Sequence, residues 1–288
     1  MFELINKVKE INPLVLHYTN EVTINDCANI TLALGASPLM SYSDEEVEEI
    51  ISVASSVVIN IGTMNSSRLD LFVKAGKAAN KFNKPVVLDP VGVFATKTRT
   101  NFTNKLLNEI KFDVVKGNIA EIKFIGGLDV RGQGVDSFDD GEDISEVVKR
   151  VAIKLGCVVV ATGKVDFISD GNRVIKIFNG TPKLKSVTGT GCMTGSLIGS
   201  YLGAYDSLIK SDEKVSKIEA VAIGVLTMGV SGELSDRNNI AIGSFKEELM
   251  NNIYEMNSDK LKEYGINTTY INNTEYEEKE EFKNKTFV

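Results

Sequence analysis

"KPVVLDPVG", residues 84–92, runs through Val-Val-Leu without a polar break and then stops at Asp89, Pro90 and a glycine. A strand with one wet face would alternate. An unbroken apolar run marks a strand covered on both faces, and the Gly and polar residues behind it mark the loop at its carboxyl end. The same design recurs in "SVVINIG" at 56–62, "FDVVKGN" at 112–118 and "GCVVVATG" at 156–163. Between these runs lie segments of helical character, "SSRLDLFVKAGKAANKF" at 66–82, "NKLLNEIK" at 104–111 and "ISEVVKRVAIKL" at 144–155. Strands alternating with helices in this order predict an α/β protein with a largely parallel central sheet.

In such sheets function gathers where the strands end. Those ends read "NIGT" at 60–63, "DPVG" at 89–92, "KGNIAE" at 116–121 and "ATGKVD" at 161–166. Turn chemistry accounts for any one of them; four on one rim predict a site. Further along, "DFISDGNRVIKIFNG" at 166–180 predicts a hairpin turning at "SDGN". "KIEAVAIGVLTMGVSGELS" at 217–235 predicts a buried helix packed with the one that starts near residue 190. The charged stretch 271–288 lacks periodicity and predicts a tail, which leaves one domain over residues 1–270.

Composition excludes several functions. Of 288 residues 43% are hydrophobic, enough for a substantial core in a soluble chain. The net charge is −7, from 32 Lys+Arg against 39 Asp+Glu, and no basic run is present, which argues against a nucleic-acid partner. No apolar run reaches the ~18 residues of a membrane helix, and "MFELINKVKEINP" lacks the pattern of a secretory leader. Cys27, Cys157 and Cys192 are far apart and odd in number, as expected in a reducing compartment. A cytoplasmic protein without a membrane partner follows. The single histidine, His17 in "PLVLHYTN", leaves no pair for a zinc site and no spare base for a cysteine hydrolase. Its apolar setting predicts a structural role.

The stretch that carries chemistry is "VTGTGCMTGSLIGSYLGAY" at 187–205. Gly189, Thr190 and Gly191 at a helix start can offer several backbone N–H groups to a phosphate, with the helix dipole assisting. No G-x-x-x-x-G-K-[ST] occurs, and the glycines come too late in the chain for a dinucleotide fingerprint. Phosphoryl transfer also uses a divalent cation, for which Asp89 and Glu121 at two strand ends are the best-placed oxygen ligands. Glu121 reads equally as the third helical residue answering an N-capping Asn118. Cys192 remains open between a nucleophile, a metal ligand and a small side chain beside an anion.

At this point the chain resembles the hydroxyethylthiazole kinases of the ribokinase-like superfamily. The resemblance rests on "HYTNEVTINDCANITLALGASPLMS" at 17–41, "VLDPVGVFAT" at 87–96, "VVKGNIAEI" at 114–122, "GVDS" at 134–137, "TGKVDFISDG" at 162–171 and "VTGTGCMTG" at 187–195. It implies a three-layer α/β/α fold and transfer of the ATP γ-phosphoryl group, with Mg²⁺, to the hydroxyl of 4-methyl-5-(2-hydroxyethyl)thiazole, a salvage step toward thiamin diphosphate. It also implies a homotrimer with sites at the subunit interfaces. Position by position, it implies substrate contacts at Asn25, Met40 and Gly189 and ATP contacts at Lys116 and Thr162. The superfamily commonly has an aspartate base where Cys192 stands, so the thiol is expected to take the hydroxyl proton or to orient the alcohol, and a helix N-terminus is expected to lower its pKa. Two departures are visible. Lys116 stands where arginine is common, and "NIAIGSF" at 239–245 replaces a glycine-proline-glycine sequence. Alternatives are another ribokinase-like kinase, such as one for the pyrimidine alcohol of thiamin synthesis, or a non-catalytic binder of nucleotide or thiamin precursors.

Overall fold

Four runs of unbroken apolar residues become four adjacent strands. The computed structural model describes residues 1–128, 143–208, 215–265 and 268–271. "GVDS" at 134–137 and, apart from Ile271, the expected tail lie outside these described residues. The first half of the chain runs α1 (Leu4–Ile11), β1 (Leu14–Tyr18), α2 (Ile24–Leu34), β2 (Ser37–Met40), α3 (Val47–Val53), β3 (Ser56–Asn60), α4 (Leu69–Lys81), β4 (Val86–Asp89), α5 (Lys97–Glu109) and β5 (Val114–Asn118). It continues with α6 (Ile119–Gly126), α7 (Ile144–Leu155), β6 (Val158–Thr162), β7 (Asp166–Ser169), β8 (Val174–Ile177), α8 (Thr190–Leu208), α9 (Lys217–Asp236), α10 (Ile242–Tyr254), α11 (Ser258–Tyr264) and β9 (Thr268–Ile271).

The strands form one sheet in the order β2-β1-β3-β4-β5-β6-β7-β8-β9. From β2 to β6 every junction is parallel. The last three junctions, β6–β7, β7–β8 and β8–β9, are antiparallel, and the second of them is the hairpin expected around "SDGN". Alternate residues of the central strands enter two different cores: Val58 belongs to the one that α8 and α9 fill, whereas Val57 and Ile59 belong to the one that α3 and α4 fill. Burying each such side chain contributes about 1.5–3 kcal/mol, and burial on both faces is why these strands carry no polar alternation. Helices α1, α2 and α8–α11 form one outer layer, and α3–α7 the other. The expected three-layer α/β/α fold with a largely parallel sheet is observed.

Helix α9 is long and apolar enough to cross a membrane by length and composition, but 83% of its apolar window is buried inside the protein. It is the core partner of α8, as expected. A Cβ on Gly224 would lie 3.0 Å from the Ile198 Cα, and the Tyr201 hydroxyl meets Thr227 Oγ1 at 2.8 Å. Strands β2 and β9 at the two sheet edges are too short and too mixed to stand out in the sequence.

Candidate active site

Parallel pairing aligns the ends of β1, β3, β4 and β5 on one rim. Asn60 is level with Asp89 in the β3–β4 register, and Lys116 lies in the next strand. Asn20, two residues beyond β1, completes a row of four buried polar side chains in spatial order: Asn20, Asn60, Asp89, Lys116. Each touches the next. Asn20 Nδ2 donates to Asn60 Oδ1 at 3.0 Å, Asn60 Nδ2 donates to Asp89 Oδ2 at 3.0 Å, and Lys116 Nζ donates to the same oxygen at 3.2 Å.

The start of α8 closes this row into a loop. Lys116 Nζ also donates to the Gly191 carbonyl at 2.9 Å, and the Sγ of Cys192 accepts from Asn20 Nδ2 and Asn60 Nδ2, each at 3.3 Å. Gly189 precedes α8 with a φ of +91°, and a Cβ there would lie 2.5 Å from Thr23 Cγ2. Only glycine fits that turn. The turn sets the start of α8 beside the rim, and a helix start leaves its first N–H groups without intrahelical partners and carries partial positive charge. Cys192, Asp89, Lys116 and the Gly189–Gly191 turn are therefore brought together.

Glu121 sits beside them in two roles at once. Its Oε2 accepts from Asn118 N at 2.7 Å while Asn118 Oδ1 accepts from Glu121 N at 2.8 Å, the reciprocal cap read from the sequence. Its Oε1 accepts from Gly92 N at 2.8 Å, which ties α6 to the loop after β4. Burial, and then the Asp89 charge, push its pKa up against these N–H donors. Burial opposes the charge on Lys116, but Asp89, Cys192 and Glu121 outweigh it and hold the ammonium above its ordinary range.

Cys192 differs from the sequence expectation. Burial, reinforced by Asp89, pushes its thiol up, and the opposing effects of Lys116, Thr23 and Asn60 are smaller. The helix start does not yield a standing thiolate, because the desolvated sulfur shares its site with a carboxylate. His17 cannot serve as its base. Its ring is fully buried, with Nδ1 3.0 Å from the Val15 carbonyl and Nε2 3.0 Å from Ser196 Oγ, and desolvation lowers its pKa to about 4.

The other expected site residues lie further out. Thr162 ends β6 on the same rim, where its Oγ1 donates to the Gly117 carbonyl at 3.2 Å. Met40 ends the edge strand β2, half-buried and level with His17. Asn25 is exposed on α2, and its Oδ1 accepts from Asn29 at 2.9 Å rather than from the network around Cys192. Asn20 and Asn60 were missed as site residues. The available signal was position: Asn60 opens "NIGT" at a strand end, and Asn20 closes "HYTN" after another.

Comparison with known proteins agrees with this geometry. Residues 5–259 match the hydroxyethylthiazole kinase family. The chain belongs to that family. It is 62% identical over 272 residues to a hydroxyethylthiazole kinase of Clostridioides difficile (strain 630), an alignment that covers 94% of this chain and 100% of that protein. Its structure resembles that of a hydroxyethylthiazole kinase from Pyrococcus horikoshii OT3, with a TM-score of 0.80, 34% identity, and coverage of 94% and 98% of the two chains. A ribokinase-like superfamily protein from Enterococcus faecalis V583 shares the fold, with a TM-score of 0.59 at 12% identity and coverage of 88% and 89%. Family membership makes the chain a kinase that uses ATP as co-substrate.

Proposed function

We propose that this rim transfers the γ-phosphoryl group of ATP to the hydroxyl of 4-methyl-5-(2-hydroxyethyl)thiazole, giving the alcohol phosphate and ADP in thiamin salvage. The observation that carries the reading is the closed network Asn20–Asn60–Asp89–Lys116–Gly191 with Cys192 at the head of α8. The N–H groups of Gly189, Thr190 and Gly191, with the Lys116 ammonium, supply positive potential where phosphate charge spreads in the transition state. Lysine keeps that charge while giving up the planar fork of arginine. Thr162 on the same rim is assigned to the nucleotide, and Met40, Asn25 and Gly189 to the thiazole side, where a thioether packs well against an aromatic ring.

Asp89 and Glu121 fit a divalent cation. They are two buried acids close enough for one to raise the pKa of the other, and the buried Lys116 placed against Asp89 balances one charge. Among the described residues no cluster of three or more His, Cys, Asp or Glu forms a complete cage. That suits Mg²⁺, which binds through one or two carboxylates plus phosphate oxygens and water. Bound there, Mg²⁺ would neutralise charge on the transferring phosphate. Cys192 holds the alcohol oxygen in line for attack. Because burial keeps its thiol protonated, its assigned duty is orientation, with the alcohol proton passing to an oxygen of the transferring phosphoryl group as the new P–O bond forms and the bond to ADP breaks.

We further read residues 1–270 as one cytoplasmic kinase domain that works as a homotrimer, with Met40 on the edge strand close to a neighbouring subunit's site. Incubation of the pure protein with ATP, Mg²⁺ and hydroxyethylthiazole tests the central claim: the phosphorylated alcohol is expected, and ATP loss without it refutes the reading. Cys192→Asp is expected to retain or raise turnover, an outcome that a nucleophilic cysteine could not give.

A further inference from the structure

The side chain of Asn60 uses every hydrogen-bonding group it has. Its two Nδ2 hydrogens go to Asp89 Oδ2 at 3.0 Å and Cys192 Sγ at 3.3 Å, and its Oδ1 accepts from Gly62 N at 2.8 Å and Asn20 Nδ2 at 3.0 Å. Gly62 N can only donate, so it fixes which end of the amide is oxygen and aims the nitrogen at the acid and the sulfur. Asn20 is fixed in the same way by Thr23 N, which donates to its Oδ1 at 3.0 Å. Both amides are buried, whereas Cys192 is half-buried at the rim.

We propose that Asn60 is a positioning residue for phosphoryl transfer: one locked amide ties the Asp89 carboxylate to the Cys192 sulfur and so sets the two sides of the reacting centre against each other. The assignment rests on the kinase reading above. Its physical content is directional. Two N–H groups point at the sulfur, so the thiol hydrogen is directed away from both amides, to the sides where the Thr23 hydroxyl or an arriving alcohol oxygen can accept it. A sulfur without these donors could rotate, and small misplacements of a reacting group cost large factors in rate.

A double-variant cycle separates this role from simple core filling. Asn60→Ala is expected to lower kcat by about tenfold or more while KM for ATP stays within about threefold. In a Cys192→Ala background the same substitution is expected to cost less than about threefold, because its target is already gone. Full multiplication of the two losses would overturn the assignment. The cycle is repeated by urea unfolding of the substrate-free protein, where Asn60→Ala is expected to shift the midpoint less in the Cys192→Ala background. If Asn60→Ala does not fold, Asn60→Asp keeps the shape and the oxygen facing Gly62 and Asn20, and replaces only the donor side. Coupling in unfolding without turnover by the unsubstituted enzyme would sink the kinase reading and leave the tie supported. Turnover with independent losses in both cycles would sink the tie alone.

Discussion

Lys116 Nζ lies 3.2 Å from Asp89 Oδ2, in a salt bridge whose side chains are only 4% and 2% exposed. The same nitrogen reaches the Gly191 carbonyl at 2.9 Å, so one cation joins two strand ends to the head of α8. A buried pair of this kind adds little net stability compared with a well-packed apolar pair, but removing one partner strands the other charge.

Lys116→Met should therefore damage fold and function together. Stranding the Asp89 carboxylate costs about 3–5 kcal/mol, which for a chain of this size lowers the melting midpoint by roughly 10 °C. Scanning calorimetry of the free protein measures that loss, and the kinase assay should show KM for ATP rising. A midpoint within a degree of the parent would mean that the bridge is not made.

Glu121→Gln and Asn118→Ala separate the two duties of Glu121. The amide of Gln can still accept one backbone N–H, so the stability loss should stay near 1 kcal/mol, while the Mg²⁺ concentration for half-maximal rate should rise by about tenfold or more. Asn118→Ala removes the other half of the cap. It should cost about 1 kcal/mol and leave the Mg²⁺ requirement unchanged. Equal Mg²⁺ curves for both variants would reduce Glu121 to a capping residue.

How far the sequence revealed this site follows from the kind of signal each part gives. The runs 56–62, 84–92, 112–118 and 156–163 contain β3–β6 because double-sided burial writes itself locally as uninterrupted valine, isoleucine and leucine. Strand β2, Ser37–Met40, is half-buried and includes Pro38, so its pairing with β1 is a tertiary fact with no local pattern. Asp89 and Glu121 were legible as acids at strand ends. Asn60 and Asn20 were not, since asparagine after a strand is ordinary turn chemistry until neighbouring strands align. The sense of the Cys192 shift was misread for a similar reason. The helix start is visible in the sequence, whereas burial beside Asp89 appears only in the fold.

Gly189→Ala tests the turn itself. The backbone at +91° lies in the left-handed region, which costs a side-chain-bearing residue about 1–2 kcal/mol, and the new methyl would collide with Thr23 Cγ2. Stability should fall by at least that amount and kcat/KM for ATP by about tenfold or more. Thr23→Ser removes the colliding methyl and should recover part of the loss in the double variant. No recovery would place the whole cost in the backbone conformation.

The pH dependence of stability should carry the signature of His17. Burial holds its folded pKa at about 4, against an unfolded value of 6.5, so the unfolded chain binds a proton in that interval and the native protein does not. The stability contribution is complete above pH 6.5 and drains away as pH falls toward 4. At 1.36 kcal/mol per pKa unit the change is roughly 3 kcal/mol. Asp166 acts in the opposite sense: burial raises its carboxyl to about 7, so the native state keeps a proton that the unfolded chain releases, and stability falls as pH rises toward 7. The two slopes offset each other in the parent protein, which makes the informative quantity the difference between parent and His17→Gln. Urea midpoints of the two proteins, measured at half-unit steps from pH 4 to 7, should show the parent losing stability relative to the variant as the solution is acidified. Parallel curves across that range would mean that His17 takes up its proton as readily in the fold as in the unfolded chain, and its burial with Val15 and Ser196 could not then be as described.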